Sequence, residues 1–335
     1  MQPVRFGVIS TARIGLERVI PALQKGHAVS IEAIASRDLD RAREAAKKFG
    51  IARAYGSYAE LFADPGIDAV YNPLPNHLHV PTSIEAVEAG KHVLCEKPIA
   101  LDAHEAKQLI EARDRTGMVI AEAFMVRHHP QWQKARELIR NGRIGELRAV
   151  QAVFSYMNRD PANVRNQADI GGGAIYDIGC YPIVTARYLF ADEPVRALAL
   201  IERDPDFQTD RLVSAILHFS EGQAQFVCST QLVPQQRLLI LGTEGRIELD
   251  IPFTPLENQT SRLLIDDGSH RGFLAKEEIT FEGINQYTLQ GDHFAQVVRG
   301  NAALDFPIKD SVRNMAVIDA LYRSGESGGW EEVRS

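Results

Sequence analysis

The first 125 residues alternate short apolar segments with amphipathic segments of helical length, and this alternation restricts the fold more than any other feature. The short segments predict strands at Arg5–Ser10, Ser30–Ala35, Asp68–Asn72, His92–Cys95 and Met118–Ala121. The segments between them predict helices at Ile14–Lys25, Leu39–Phe49, Val80–Ala89 and Ala103–Thr116. Repeats of strand, helix and strand favour a parallel sheet that is covered by helices on both faces.

The pattern changes after Ala123, where alternating segments become more frequent. Helices are predicted from Pro130 to Asn141-Gly142, between Ala174 and Phe190, and near Asp292–Arg299 and Lys309–Arg323. Strands are predicted at Arg211–Phe219, Gln223–Gln231, Arg237–Leu241, Arg246–Asp250, Arg262–Asp266 and Glu277–Phe281. Short strands joined by tight turns indicate a mainly antiparallel sheet. We therefore predict an α/β chain with a parallel domain over residues 1–125 and an α+β domain over residues 126–335.

Net charge, the first strand pattern and the cysteines restrict the expected binding partners and cellular location. The formal net charge of −7 argues against nucleic acid or an anionic membrane as a partner. A strand pattern that begins by Val4 leaves no room for a cleavable signal, so we expect a cytoplasmic protein. Cys95, Cys180 and Cys228 have no CxxC spacing, which favours free thiols in a reducing compartment over a disulfide or a zinc site.

The turn after the first strand is a candidate phosphate-binding turn. It runs from Ser10 to Gly15 and has the pattern SxAxxG where a dinucleotide fingerprint has GxGxxG. Ser10 and Ala12 are small, and a helix N-terminus offers free N–H groups to a phosphate. An ordinary strand-to-helix turn is the alternative. The candidate cofactor residues in this turn are Ser10, Thr11, Ala12, Arg13 and Ile14.

The end of the second strand predicts which dinucleotide binds. An acidic residue at this point accepts hydrogen bonds from the ribose of NAD, whereas a cation accommodates the 2′-phosphate of NADP. Ser36 and Arg37 lie there, with Arg41 one helical turn further on, and a hydroxyl plus guanidinium groups suits a phosphate. The alternative makes Asp38 a helix cap and Arg37 a solvated charge. We expect NADP as the cofactor, with NAD as the second option.

Three residues are candidates for the chemistry. Lys97 follows the apolar strand His92–Cys95, at the sheet edge where parallel α/β domains bind ligands. Asp177 and Tyr181 stand four residues apart, so they share a helix face, although Pro182 disturbs an ideal helix there. The alternatives are a surface lysine, a surface carboxylate and a buried tyrosine.

We predict no metal site. His77, His79, His128 and His129 form adjacent or alternating pairs that lack the usual spacing of zinc ligands, and no cysteine joins them.

Several segments together resemble the Gfo/Idh/MocA oxidoreductases, in the branch of glucose-fructose oxidoreductase, NADP-dependent D-xylose dehydrogenase and dihydrodiol dehydrogenase. These segments are STARIG at 10–15, NPLPNHLH at 72–79, CEKP at 95–98, EAFMVRHHPQ at 122–131, GGGAIYDIGCYP at 171–182 and NQYTLQGDHF at 285–294. The resemblance implies a Rossmann domain followed by an α+β domain with an open sheet. Such sheets are often used for dimerisation in the family, so the expected state is a homodimer or homotetramer.

The resemblance also implies roles for individual residues. Lys97 is expected to be the catalytic lysine beside the nicotinamide, Tyr181 the acid/base, and Asp177 its supporting carboxylate. Tyr181 stands where inositol dehydrogenase-type relatives carry histidine, which argues against an inositol substrate. The remaining cofactor residues that the resemblance implies are Leu74, Asn76, His79, Glu96 and Arg165.

A mechanism follows as a hypothesis. A sugar hydroxyl must lose a proton as its carbon loses hydride, and a phenol becomes a usable base when a cation adjoins it. Lys97 would supply that charge to Tyr181. The expected activity is an NADP-dependent dehydrogenase that acts on an aldose such as xylose or glucose, or on a cyclic diol. The alternatives are a keto-sugar reductase, a non-catalytic dinucleotide-binding regulator, and a glycosidase that uses the nicotinamide transiently.

Overall fold

The structure, a computed structural model, describes residues 2–334. The chain forms two compact units, each with its own sheet. The first unit contains the residues up to Met125 and the segment Asn285–Val312, and the second contains Val126–Ile284 and the chain from Arg313 onward. Among the residues that the structure describes, no helix combines the length and apolar character that crossing a bilayer requires.

The sheet of the first unit has six strands, and all of its neighbouring pairs are parallel. The strands are β1 (Val4–Ile9), β2 (Val29–Ala35), β3 (Arg53–Tyr55), β4 (Ala69–Asn72), β5 (His92–Cys95) and β6 (Ile120–Glu122). Their spatial order is β3-β2-β1-β4-β5-β6, so the direction of winding reverses between β1 and β4. This is the order of a Rossmann sheet, and it confirms the predicted parallel α/β fold.

Helices connect these strands. They are α1 (Ile20–Leu23), α2 (Leu39–Phe49), α3 (Tyr58–Ala63), α4 (His79–Glu88) and α5 (Ala103–Thr116). The predicted first helix, Ile14–Lys25, is shorter and begins with a π-helical turn at Gly15–Val19. Asp102 caps α5 through the backbone amide of Glu105, and Gly117 ends it in the left-handed conformation. β3 and α3 are absent from the predicted elements because they are too short to show a period.

The second unit contains a sheet of nine strands. They are β7 (Leu147–Met157), β8 (Arg196–Arg203), β9 (Asp210–His218), β10 (Gln223–Ser229), β11 (Gln231–Gly242), β12 (Arg246–Leu249), β13 (Ser261–Asp266), β14 (Glu277–Phe281) and β15 (Glu331–Glu332). Their spatial order is β14-β13-β12-β11-β7-β10-β9-β8-β15. β7 and β10 run parallel and the other pairs recorded in this sheet are antiparallel, so the predicted, mainly antiparallel sheet is confirmed.

β7 and β8 are absent from the predicted strands. The sequence of β8, RALALIER, is rich in leucine, alanine, glutamate and arginine, which have high helix propensity, and the sheet neighbours override that local preference. The sequence of β7, LRAVQAVFSYM, contains valine, phenylalanine and tyrosine, which favour a strand.

Two helices of the second unit carry or support the candidate residues. α6 (Pro130–Arg140) begins with a proline in its first turn and is capped by His129, whose Nδ1 accepts a hydrogen bond from the Gln131 amide. α7 (Cys180–Phe190) follows a π-helical turn at Ile175–Gly179.

α8 (Gln286–Val298) returns to the first unit, and α9 (Ile308–Ser327) follows it. The Phe294 ring lies edge-on to Phe6 with centroids 5.7 Å apart, and Asp292 Oδ1 accepts a hydrogen bond of 3.0 Å from the Ala28 amide. The two predicted domains, 1–125 and 126–335, do not include this return, because helical periodicity does not tell which core a helix joins.

Candidate active site

The carboxyl ends of the parallel strands bring the predicted cofactor residues of the first unit to one edge. Ser10 follows β1, Ser36 follows β2, Leu74 lies two residues after β4, and Lys97 lies two residues after β5. Open α/β sheets bind ligands at this edge, beside the point where the strand order reverses.

Ser10 adopts the conformation that a fingerprint glycine provides. Its φ angle is +77°, its amide donates a 2.8 Å hydrogen bond to the Ala35 carbonyl, and its Oγ accepts one of 3.2 Å from the Ala12 amide. A Cβ added at Gly15 would lie 3.7 Å from the Tyr71 ring, which is ordinary contact. The turn therefore depends on the backbone of Ser10 more than on Gly15.

The end of β2 carries two exposed guanidinium groups. Ser36 is buried, and its Oγ accepts a hydrogen bond of 3.2 Å from the Asp38 amide. Asp38 caps α2, since its carboxylate accepts hydrogen bonds from the amides of Asp40 (3.0 Å) and Arg41 (3.2 Å). The carboxylate of Asp38 is thus used as the N-cap of α2, while Arg37 and Arg41 are exposed. Arg13, in the β1 turn, is also exposed and pairs with Glu17 at 2.8 Å.

Glu96 and Lys97 follow β5 and differ in their surroundings. The Glu96 carboxylate accepts a hydrogen bond of 2.6 Å from the Tyr71 hydroxyl. Burial, together with the charge of Glu96, raises the pKa of Tyr71, so this phenol stays a proton donor. Lys97 is half-buried and is joined to Pro98 by a cis peptide bond. Its amide lies 3.3 Å from Glu96 Oε2.

His79 lies inside the loops that carry these residues. Its side chain is 1% exposed, and its two ring nitrogens lie 2.7 Å from the carbonyl oxygens of Leu74 and Pro98. Burial lowers the pKa of His79 to about 4. Both imidazole nitrogens therefore face backbone carbonyl groups. Asn76 begins a 3₁₀ turn at Asn76–Leu78 and is half-buried.

In the second unit, Tyr181 lies in the first turn of α7. Its side chain is buried against the stacked rings of Phe154 and Phe253, whose centroids lie 5.7 and 5.8 Å from its own. The π-helical turn before α7 accommodates Pro182, because the wider turn removes the clash that a proline ring makes in an α-helix interior. The chain between Asp177 and Tyr181 therefore includes part of a π-helical turn, where the sequence predicted a regular α-helix.

Asp177 anchors a cluster of polar side chains. Its Oδ1 lies 2.9 Å from Arg165 Nε, and its Oδ2 accepts a hydrogen bond of 2.5 Å from the Tyr156 hydroxyl. The carboxylate of Asp177 raises the pKa of Arg165, and the charge of Tyr181 acts on Arg165 in the same direction. Arg165, Asp177 and Tyr181 therefore belong to one electrostatic cluster.

Tyr156 is a member of this cluster that the sequence did not predict. Burial and the charge of Asp177 raise its pKa, so it acts as a hydrogen-bond donor. The signal that identifies it is the alternation in β7, which places Tyr156 on the face opposite its neighbours Ser155 and Met157.

Asp210 and Gly173 fix the start of the helix that carries Asp177 and Tyr181. Asp210 Oδ2 accepts a hydrogen bond of 2.7 Å from the Ile175 amide, and Oδ1 accepts one of 3.1 Å from the Tyr322 hydroxyl. Burial raises the pKa of Asp210 to about 6. Gly173 has φ +125°, and a Cβ added there would overlap Asp210 Oδ1. The glycine run is thus closely packed at Gly173.

The two tryptophans and the three cysteines have structural roles or surroundings. Trp132 is fully buried, and its Nε1 donates a hydrogen bond of 2.7 Å to the Pro252 carbonyl. The Arg196 guanidinium lies over the partly exposed ring of Trp330. The three cysteines are buried free thiols. Within residues 2–334, the structure brings together no group of three or more His, Cys, Asp or Glu side chains that could hold a metal ion.

The chain matches two sequence families. Residues 4–124 match a family described as "Oxidoreductase family, NAD-binding Rossmann fold", and residues 132–248 match the "GFO/IDH/MocA C-terminal domain". The chain belongs to the Gfo/Idh/MocA oxidoreductase family. The resemblance inferred from the sequence motifs is therefore confirmed, and the protein is an oxidoreductase.

Two relatives cover nearly the whole chain. An uncharacterized oxidoreductase of Rhizobium meliloti is 50% identical over 99% of this chain and 100% of that protein. The D-xylose 1-dehydrogenase (NADP(+)) 2 of Haloferax volcanii is 36% identical over 98% of this chain and 99% of that protein.

A solved structure also matches. The 3-ketoreductase of Actinomadura kijaniata, in complex with NADP and TDP-benzene, superposes with a TM-score of 0.89 at 31% identity, and the match covers 96% of this chain and 98% of that one. Variants of that protein with a tyrosine replaced by phenylalanine, or a lysine replaced by alanine, have also been solved with both ligands.

Proposed function

We propose that this oxidoreductase uses NADP(H) and transfers hydride between the nicotinamide and a sugar carbon. In the leading form of the proposal it oxidises an aldose such as xylose or glucose, or a cyclic diol. Lys97 and Tyr181 form the acid–base pair.

One observation carries this proposal most strongly. Lys97 ends a strand of the Rossmann sheet, Tyr181 begins α7, and 84 residues separate them along the chain. The lysine and tyrosine replaced in the variants of the 3-ketoreductase are also 84 residues apart. Equal spacing in a homologue of the same fold supports the view that the two pairs correspond.

The residues at the sheet edge fit a phosphorylated dinucleotide. Ser10 supplies the positive φ that lets the backbone approach a pyrophosphate, and the N-terminus of the following helix favours an anion. Arg37 and Arg41 offer exposed guanidinium groups after β2, while Asp38 is engaged in capping α2. A 2′-phosphate requires such cations, which supports NADP over NAD. When bound, the nicotinamide accepts or donates the hydride.

The residues of this chain move the proton. In the oxidative direction, Tyr181 takes the proton of the substrate hydroxyl, and in the reductive direction it returns a proton to the alkoxide. The ammonium of Lys97 favours the ionised phenol and stabilises the developing alkoxide. Asp177 and Tyr156 hold the guanidinium of Arg165 within electrostatic range of Tyr181. In this proposal, Asp177 positions the guanidinium of Arg165.

A keto-sugar reductase is the second candidate. The observation in its favour is the superposition, with a TM-score of 0.89, on a 3-ketoreductase that was solved with NADP and a TDP compound. Reduction of a keto-sugar uses the same pair of residues in the reverse direction.

A cofactor-turnover panel tests the proposal. Xylose, glucose and cyclic diols are supplied with NADP, and keto-sugars are supplied with NADPH, while NADPH fluorescence is followed. Formation of NADPH from an aldose or diol supports the leading form, and its consumption by a keto-sugar supports the second. Tight NADPH binding without turnover of any substrate contradicts both and indicates a regulator. Release of free sugar from a glycoside without net cofactor change indicates a glycosidase.

A further inference from the structure

We propose that His79 is a positioning residue that holds Lys97 and the loop after β4 in one fixed arrangement. It acts through backbone carbonyl groups and does not take part in the proton transfer. This inference rests on the proposed function of Lys97.

The imidazole links two segments that follow adjacent strands. Its Nδ1 lies 2.7 Å from the carbonyl oxygen of Pro98, and its Nε2 lies 2.7 Å from that of Leu74. Pro98 directly follows Lys97, and Leu74 lies in the loop after β4. A single buried ring therefore lies within hydrogen-bond distance of the backbone next to the proposed catalytic lysine and of the backbone of a proposed cofactor loop.

Asn72 reinforces the β4 side of this link. It is fully buried, and its Oδ1 accepts a hydrogen bond of 3.2 Å from the Leu74 amide. Its Nδ2 donates to the His79 carbonyl at 3.2 Å and to Ser83 Oγ at 3.1 Å. The loop is thus fastened at its start by an asparagine and at its end by α4.

The β5 side is fastened beyond Pro98 as well. The Ile99 amide donates a hydrogen bond of 2.9 Å to Glu122 Oε1, from the end of β6. With His79 on the Pro98 carbonyl, side chains from two different elements hold the backbone that directly follows Lys97. These contacts fix the backbone position from which the Lys97 side chain extends. A catalytic group requires such a fixed position.

The protonation state of the His79 ring determines how many carbonyl groups it can donate to. Burial lowers the pKa of His79 to about 4, and the charges of Lys97 and His77 add to this effect. Near neutral pH the ring is therefore neutral, has one N–H, and donates to one of the two carbonyl groups at a time. A ring without any N–H leaves both buried carbonyl groups without this donor.

His79→Phe tests the proposal, because phenylalanine keeps a planar ring and removes both nitrogens. We expect kcat to fall by about tenfold or more, since a displaced catalytic group costs at least that much. We also expect the limb of the kcat–pH profile that reports the ionisation of Tyr181, which in the oxidative direction is the acidic limb, to move upward by about one pH unit as the ammonium of Lys97 moves away.

His92→Phe is the matched control. His92 lies at the opposite end of β5 from Lys97, and its Nδ1 accepts a hydrogen bond of 2.9 Å from the Val119 amide. The control removes a backbone-bonded imidazole from the strand that precedes Lys97, so it reproduces a general loss of stability. It is expected to leave the kcat–pH profile in place.

Binding of NADPH, measured by fluorescence titration, separates this inference from the proposed function. His79→Phe is expected to weaken NADPH binding several-fold even if no sugar is turned over, because the Leu74 loop loses its support. A wild-type enzyme without turnover contradicts the proposed function alone. An unchanged NADPH affinity together with an unchanged pH profile overturns the role of His79. If His79→Phe does not fold, His79→Leu, which also removes both ring nitrogens, takes its place: the same changes are expected, and wild-type behaviour overturns the proposal.

Discussion

The candidate cofactor region of the first unit and the candidate catalytic cluster of the second unit are constructed differently. In the first, the important groups are backbone atoms and residues at the ends of parallel strands, such as Ser10 and Lys97. In the second, Tyr156 comes from β7, Asp177 from a π-helical turn, and Asp210 from β9. We therefore expect the first region, which depends on strand topology, to keep its structure after many side-chain substitutions. We expect the second region, which depends on contacts between side chains, to lose stability after such substitutions.

The largest expected effect is in the second unit. Tyr181→Phe removes the proposed acid–base hydroxyl and keeps the ring that packs against Phe154 and Phe253. We expect kcat to fall by about 10²–10⁴-fold, which is the usual contribution of general acid–base catalysis. NADPH affinity and thermal stability serve as controls and are expected to stay near the wild-type values. Near-normal turnover would remove Tyr181 from the mechanism.

A pair of glycine variants compares the two regions directly. Gly173→Ala places a methyl group against Asp210 Oδ1 at a φ of +125°, so we expect a loss of about 3 kcal/mol or more in the free energy of unfolding. Gly15→Ala makes only contacts of 3.7 Å or longer, and we expect a change within about 1 kcal/mol. Chemical denaturation without cofactor measures both. Equal losses would contradict the contrast between the regions.

The pH dependence of stability tests the buried carboxyl of Asp210, at the start of the helix that carries Asp177 and Tyr181. The pKa of Asp210 is raised from 3.8 to about 6 in the folded protein, so the folded state binds more protons than the unfolded state between these values. Its contribution to stability is therefore present below pH 4 and is lost as the pH rises to 6.

Asp210→Asn removes this titration. Between pH 4 and pH 7 we expect the wild type to lose about 2–3 kcal/mol in the free energy of unfolding relative to the variant. Denaturation curves at several pH values measure the difference. Parallel stability profiles for the two proteins would show that Asp210 has an ordinary pKa.

The smallest expected effect concerns cofactor choice. Arg37→Ala removes one of two exposed guanidinium groups after β2, and we expect kcat/KM with NADP to fall by about tenfold while that with NAD changes little. Lys25→Ala, on the chain after α1, controls for a general loss of positive charge. An equal decrease with both dinucleotides would contradict a 2′-phosphate contact.

The sequence predicts the first region well because strand and helix patterns also determine topology. The carboxyl ends of parallel strands share one edge, so the positions after β1, β2 and β5 indicated candidate residues without any knowledge of side-chain contacts. The role of Asp38 was left between two alternatives, and its hydrogen bonds to the Asp40 and Arg41 amides identify it as a cap.

The second region is harder to predict because its partners are distant in the chain. The Asp210 carboxylate meets Ile175 and Tyr322, which lie 35 and 112 residues away, and no period or spacing indicates such a contact. The strand that carries Tyr156 is absent from the predicted strands, although its valine, phenylalanine and tyrosine residues favour a strand. The π-helical turn before α7 has one local signal, Pro182, and α1, which also follows a π-helical turn, contains Pro21.

The central claim is that Lys97 and Tyr181, which belong to different units, act as one catalytic pair. A double-mutant cycle with Lys97→Met and Tyr181→Phe tests it most directly, with kcat measured at saturating cofactor and substrate. If the two residues act together, the double variant is expected to be about as slow as the slower single variant, because each single change already disables the pair. If the two losses in kcat simply multiply, the residues act independently and the account is contradicted.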